Sequence, residues 1–158
     1  MKSATINEIK KTLQSLDREE LISACLRLAK YKKDNKELFH FLLYEASDEP
    51  SFISKVNEEM DELFSELPRS NAYLIKKMVR KILKINNKYI KHSNSKVVEL
   101  DLQMYFIQKI KDQNFSNAIL QSIDSIKLGL VKKIEKSISG LHEDLQYDYK
   151  RLLEKHLD

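Results

Sequence analysis

Glycine and proline are scarce in this chain, and that scarcity limits the folds it can adopt. The 158 residues include two glycines and two prolines. Antiparallel sheets need frequent turns, and tight turns depend on residues of this kind. The chain is instead rich in Leu, Ile, Lys and Glu. Helix is therefore the expected structure, and a turn-rich sheet is disfavoured.

Length and composition predict one folded domain over residues 1–158. A chain of this length buries roughly 70% of its unfolded surface. Its 42% hydrophobic and 33% charged residues are typical of a globular protein rather than a disordered one. No apolar run approaches the roughly 18 residues that span a bilayer, and the start of the chain lacks a signal-peptide stretch. With Cys25 as its single cysteine, the chain cannot form an internal disulfide. We therefore expect a cytoplasmic protein without a membrane partner.

Capping residues and apolar spacing divide the chain into seven or eight helices. Thr5 with Glu8, and Asp17 with Glu20, have the spacing of a capping box, in which two side chains satisfy the free N–H groups of a first turn. Pro50 suits the first turn of the fourth helix, and Gly140 has the position of a glycine that ends the seventh. The predicted helices cover about 5–14, 17–33, 34–46, 50–67, 70–91, 95–111, 116–139 and 141–157.

Two of these helices are apolar in almost every direction around their axes, which predicts that both lie inside the fold. They are the third, with Leu38 to Tyr44, and the sixth, with Val97 to Ile110. On the second helix Cys25 shares a stripe with Leu21 and Leu28, which predicts a buried, unreactive thiol. Short links favour antiparallel neighbours, and no internal repeat is found. We therefore predict an all-α fold, either an irregular bundle or a curved stack of antiparallel helical hairpins.

Charge reverses sharply in the middle of the sequence. Residues 45–66 contain eight acids and one lysine, whereas residues 67–98 contain nine Lys or Arg and no acid. On a helix that turns about 100° per residue, the cations of the fifth helix fall within an arc of about 140°, and its apolar residues fill the rest. Tyr73 lies within the basic arc. We call this set the basic face: Tyr73, Lys76, Lys77, Arg80, Lys81, Lys84, Lys88 and Lys91.

The basic face has several interpretations. The one that we favour is a solvated surface beside the acidic fourth helix, with flanking Lys–Glu pairs worth only about 0–1 kcal/mol each. The face could also bind a protein partner with an acidic patch. Nucleic acid is possible, since the cations are evenly placed and Tyr73 could stack on a base. It is not favoured, because lysine lacks the bidentate fork of arginine and the acidic helix would repel a duplex.

No catalytic, cofactor or metal motif is found, so we expect no enzyme activity and no cofactor. Glu37 and His40 have the Glu-x-x-His spacing of di-iron proteins, but no second such motif accompanies them. His40 is therefore interpreted as a partly buried, hydrogen-bonded histidine. Gly129 and Gly140 lie too far apart for a phosphate-binding loop. Gly129 falls within a helix, where it could allow close packing.

Both ends of the chain resemble a family of small bacterial helical proteins of unknown function. The similar segments are Leu13 to Ile22, the link Lys30 to Glu37, and Leu141 to Leu145 followed by Tyr147 and Tyr149. The resemblance implies a single helical domain and a bacterial cytosolic protein, and it carries no activity. Together with the missing motifs, it predicts a non-enzymatic interaction or scaffold module of undetermined oligomeric state.

Overall fold

The computed structural model of this protein describes residues 2–157, and these residues form eight α-helices and no strand. The all-α prediction is therefore confirmed, with the larger of the two helix numbers. The chain divides into two compact units between Tyr44 and Glu45, and each is described by itself. The expectation of one domain over residues 1–158 stays a prediction.

The first unit contains α1 (Ile6–Ser15), α2 (Arg18–Tyr31) and α3 (Lys33–His40), and α3 continues into a π-helical turn, Phe41–Glu45. Both predicted capping boxes are present. The Thr5 hydroxyl accepts a hydrogen bond from the Glu8 N–H, and the Asp17 carboxylate accepts one from the Glu20 N–H. In each case the glutamate accepts in return from the backbone N–H of its cap.

The prediction that the third helix lies inside the fold is wrong. Phe41 is buried, but Leu43 and Tyr44 are 67% and 70% exposed. Cys25, which was expected to be buried, is also exposed. Within this unit α3 packs against α2. Two short helices cover only one side of each other, so residues on their other sides stay uncovered whatever their hydrophobicity.

The second unit is a bundle built around α6. It contains α4 (Glu49–Ser65), α5 (Ala72–Ser93), α6 (Lys96–Asp112), α7 (Asn117–Ser139) and α8 (Glu143–Leu157). The α6 helix packs against all four others, which confirms its predicted central place. Its buried residues point in nearly every direction around its axis: Val98, Leu100, Leu102, Gln103, Met104, Phe106, Ile107 and Ile110.

Helix boundaries in this unit depend on local capping. The α5 helix begins at Ala72 rather than Ser70, because the Asn71 side chain accepts a hydrogen bond from the Leu74 N–H. It ends at Asn94, which adopts a left-handed conformation with φ 51°. Gly140 ends α7 without a left-handed conformation, since its φ is −93°.

Two further features of the helices bear on sequence expectations. A Cβ atom added at Gly129 would meet nothing within 4 Å, so this glycine does not serve close helix packing. None of the helices formed by residues 2–157 combines the length and the apolar character that crossing a bilayer requires.

Candidate functional site

The α5 helix has one side in the core and the other in solvent. Ile75, Val79 and Ile82 are at most 2% exposed and recur every three or four residues, so they fix the rotation of the helix against its neighbours. This rotation turns the opposite side, which bears the cations, outward. The helix therefore presents the basic face as a fixed surface.

The cations of the basic face are accessible along the length of α5. Lys77, Arg80, Lys81, Lys84 and Lys91 are exposed, while Lys76 and Lys88 are half-buried. Tyr73 is 75% exposed at the first turn of the helix. The structure thus places all eight predicted residues on one helix, and its solvent side holds most of them.

These cations have few anionic neighbours. In the described part of the chain, no carboxylate lies within 4 Å of Lys76, Lys77, Arg80, Lys81, Lys84 or Lys91. The ammonium group of Lys88 lies 5.1 Å from the centre of the Tyr89 ring. Positive charge on the rest of the face is therefore available to an external anion.

The acidic helix α4 packs beside α5, as predicted. The rings of Phe52, near the start of α4, and Tyr89, near the end of α5, are 6.0 Å apart, so the two helices are antiparallel. Two of the α4 acids nevertheless bind tyrosine and lysine side chains elsewhere than on the outer cations. Glu59 accepts a hydrogen bond from the Tyr89 hydroxyl. Asp61 accepts one from the Tyr105 hydroxyl at 2.7 Å and pairs with Lys109 of α6 at 2.9 Å.

The Asp61 cluster changes the protonation of its members. Burial alone would raise the pKa of Asp61, but the hydrogen bonds from Lys109 and Tyr105 and the charge of Lys109 hold that pKa below its usual value. Burial and the adjacent Asp61 carboxylate raise the pKa of Tyr105 to about 12. An acid of α4 therefore stabilises the α4–α6 contact.

We expect Asp61 to stabilise the fold in a pH-dependent way. Because its pKa is lowered in the folded state, its contribution is present above the unfolded value of about 3.9 and is lost as the pH falls through the folded value. Asp61→Asn should lower the Tm at neutral pH, and this deficit should shrink in acid. Thermal unfolding at several pH values measures it. Glu62→Gln, at an exposed position of the same helix, should show no such pH-dependent deficit, and an equal deficit would contradict the assignment.

Positive charge also collects beyond the basic face. Lys91 of α5, Lys96 of α6, and Lys133 and Lys136 of α7 line one cavity of the second unit. Sequence reasoning missed this group, because its members come from three helices and no local pattern joins them. The closely spaced lysines near the end of α7 are the only signal that points toward it.

The other candidate residues lie apart from this surface. His40 is exposed, contrary to the prediction of a partly buried histidine, and its ring centre lies 5.1 Å from that of Tyr44. Only Phe41 is buried in this segment, which leaves no core for His40 to enter. Within residues 2–157, no group of three or more His, Cys, Asp or Glu side chains is arranged to hold a metal ion.

Comparison with known proteins adds no relative to this description. No protein-family model matches the chain, and no similar curated protein or solved structure was found. The resemblance of the two chain ends to small bacterial helical proteins therefore stays a prediction.

Proposed function

We propose that this protein is a non-catalytic interaction module whose basic face binds an acidic surface of a partner protein. The observation that supports the proposal is the set of cations on α5 without a carboxylate within 4 Å among the described residues. The adjacent acidic helix was the obvious internal partner. Its Asp61 and Glu59 are bound by Lys109, Tyr105 and Tyr89 instead.

The arrangement suits recognition of an acidic protein surface. From Lys77 to Lys91 the face extends about 21 Å at the helical rise of 1.5 Å per residue. Its backbone is fixed by the buried side of α5, so binding would order only the lysine side chains. An acidic partner would relieve repulsion among like charges, and the complementary fields would speed association.

The first unit supports an interaction role independently. Ile6, Leu28 and Tyr31 are 80%, 56% and 76% exposed, respectively. Grouped apolar residues at a protein surface are typical of interaction sites. A bacterial cytoplasm remains the expected location of the module.

Nucleic acid is the second candidate, and one structural observation favours it. The lysines of α6 and α7 that line the cavity continue the positive surface beyond α5. A duplex whose phosphates met all seven cations of the basic face would show a slope of log K against log salt near −6. The predominance of lysine, which lacks the planar fork of arginine, keeps the acidic protein partner ahead.

Charge reversal on the outer part of the face tests the proposal. We expect Lys77→Glu/Lys81→Glu/Lys84→Glu to weaken binding of a fluorescent glutamate-rich peptide by at least about tenfold at low salt, because three attractions become repulsions. Fluorescence anisotropy measures the affinity. Lys10→Glu/Lys11→Glu/Lys30→Glu is the matched control, since it changes the net charge equally at exposed positions of the first unit. Its affinity should stay close to that of the unmodified protein.

Parallel titrations with single-stranded and duplex DNA separate the two candidates. Tighter binding of DNA than of the acidic peptide, lost in the same triple variant, would replace the protein partner by nucleic acid. Equal weakening by the triple variant and its control would show that net charge alone is responsible, and the basic face would no longer be the site. No binding of either probe at about 50 mM salt would contradict both candidates.

A further inference from the structure

A cavity of about 530 Å³ lies between the end of α5, the first half of α6 and the end of α7. Its charged and amide lining consists of Lys91, Lys96, Glu99, Gln103, Lys133 and Lys136. Volumes of this order are typical of small-molecule sites in proteins. The cavity is therefore large enough for a metabolite-sized ligand.

The charge of this lining is unbalanced. Lys96 is neutralised by Glu99, whose carboxylate lies 3.0 Å from its ammonium group. For Lys91, Lys133 and Lys136, the structure of residues 2–157 has no carboxylate within 4 Å. Three ammonium groups around one cavity repel each other, and an anion bound among them would remove that cost. The lining therefore favours a ligand with more than one negative charge.

Gln103 adds a second requirement. It lines the same cavity and is 2% exposed. Its amide nitrogen donates to Glu99 at 3.4 Å, while its Oε1 oxygen has no hydrogen-bond partner among the described residues. A buried acceptor without a donor is costly. A ligand hydroxyl or amine that reached this oxygen would satisfy it.

We propose that this cavity binds a small phosphate monoester that bears a hydroxyl group near its phosphate, such as a sugar phosphate. Lysine binds phosphate as a compact charge with several donors, and three lysines match a dianion. The hydroxyl would donate to Gln103, which discriminates a phosphorylated sugar from free phosphate. The site goes beyond the partner-binding proposal, with which it shares only Lys91.

Titration of the whole chain with ribose 5-phosphate at constant ionic strength tests this site, followed by amide shifts in ¹H–¹⁵N NMR spectra. We expect saturable shifts at the end of α5, the start of α6 and the end of α7. Lys133→Gln/Lys136→Gln should weaken binding by about tenfold or more, because two of the three unpaired ammonium groups are lost. Both lysines are exposed, so the variant is expected to fold. Lys76→Gln/Lys77→Gln on the same surface of α5 should bind normally.

Comparison of two ligands tests the role of Gln103. Gln103→Leu should weaken ribose 5-phosphate but leave the weaker binding of inorganic phosphate unchanged. Shifts that do not saturate, or equal affinity in Lys133→Gln/Lys136→Gln, would overturn the site. Equal affinity for ribose 5-phosphate and inorganic phosphate would overturn the role of Gln103. Normal binding in Lys77→Glu/Lys81→Glu/Lys84→Glu would keep this result separate from the partner-binding proposal.

Discussion

Replacing Phe106 by alanine should lower the free energy of unfolding by about 3–5 kcal/mol. Phe106 lies in the middle of α6 with no exposed surface, and its ring meets that of Phe64 of α4 edge-on at 5.3 Å. Truncation would remove this contact and leave a cavity at the junction of the central helix with its neighbour. Urea unfolding followed by circular dichroism measures the loss.

A matched control comes from the first unit. Leu26 is 53% exposed, so Leu26→Ala should change the free energy of unfolding by no more than about 0.5 kcal/mol. Similar losses for the two variants would show that burial does not differ as described. A loss below about 1 kcal/mol for Phe106→Ala would contradict the central role of α6.

Asn86→Asp should destabilise the protein by about 3 kcal/mol or more at neutral pH. Asn86 has no exposed surface, and its amide nitrogen donates to the Leu102 carbonyl at 3.2 Å. The aspartate would lose that donor and place a carboxylate without a counter-ion against a carbonyl oxygen. At acidic pH the carboxyl can be neutral, so the destabilisation should shrink there.

Asn86→Leu separates charge from shape at the same position. The Oδ1 oxygen of Asn86 has no partner among the described residues, so removal of the whole amide should be nearly neutral or stabilising. Thermal unfolding of both variants at neutral and acidic pH makes the comparison. Equal destabilisation by leucine and aspartate, independent of pH, would show that packing rather than a buried charge sets the cost.

Hydrophobic pattern alone ranked α3 and α6 alike, although the structure treats them oppositely. Both segments are apolar in nearly all directions. The α6 helix packs against α4, α5, α7 and α8, whereas α3 packs within its unit against α2. A pattern reports what a helix can bury, but burial also needs neighbours on every side. Cys25 and His40 were misplaced for the same reason.

The charged helices show a similar division. Sequence periodicity correctly separated the cations of α5 from its buried Ile75, Val79 and Ile82. It also predicted that α4 would lie beside α5. It did not predict that Asp61 would pair with Lys109, because those residues are 48 positions apart and belong to helices that are not consecutive.

Sequence by itself determined the all-α class, the helices and their caps, and the basic side of α5, since all of these depend on residues within a few turns of one another. Tertiary structure alone decided which apolar helix became the core, which acids found partners, and that lysines of three helices meet around Gln103. These outcomes depend on contacts between distant segments. Helical periodicity fixes the face on which a residue lies, and only packing fixes what that face meets.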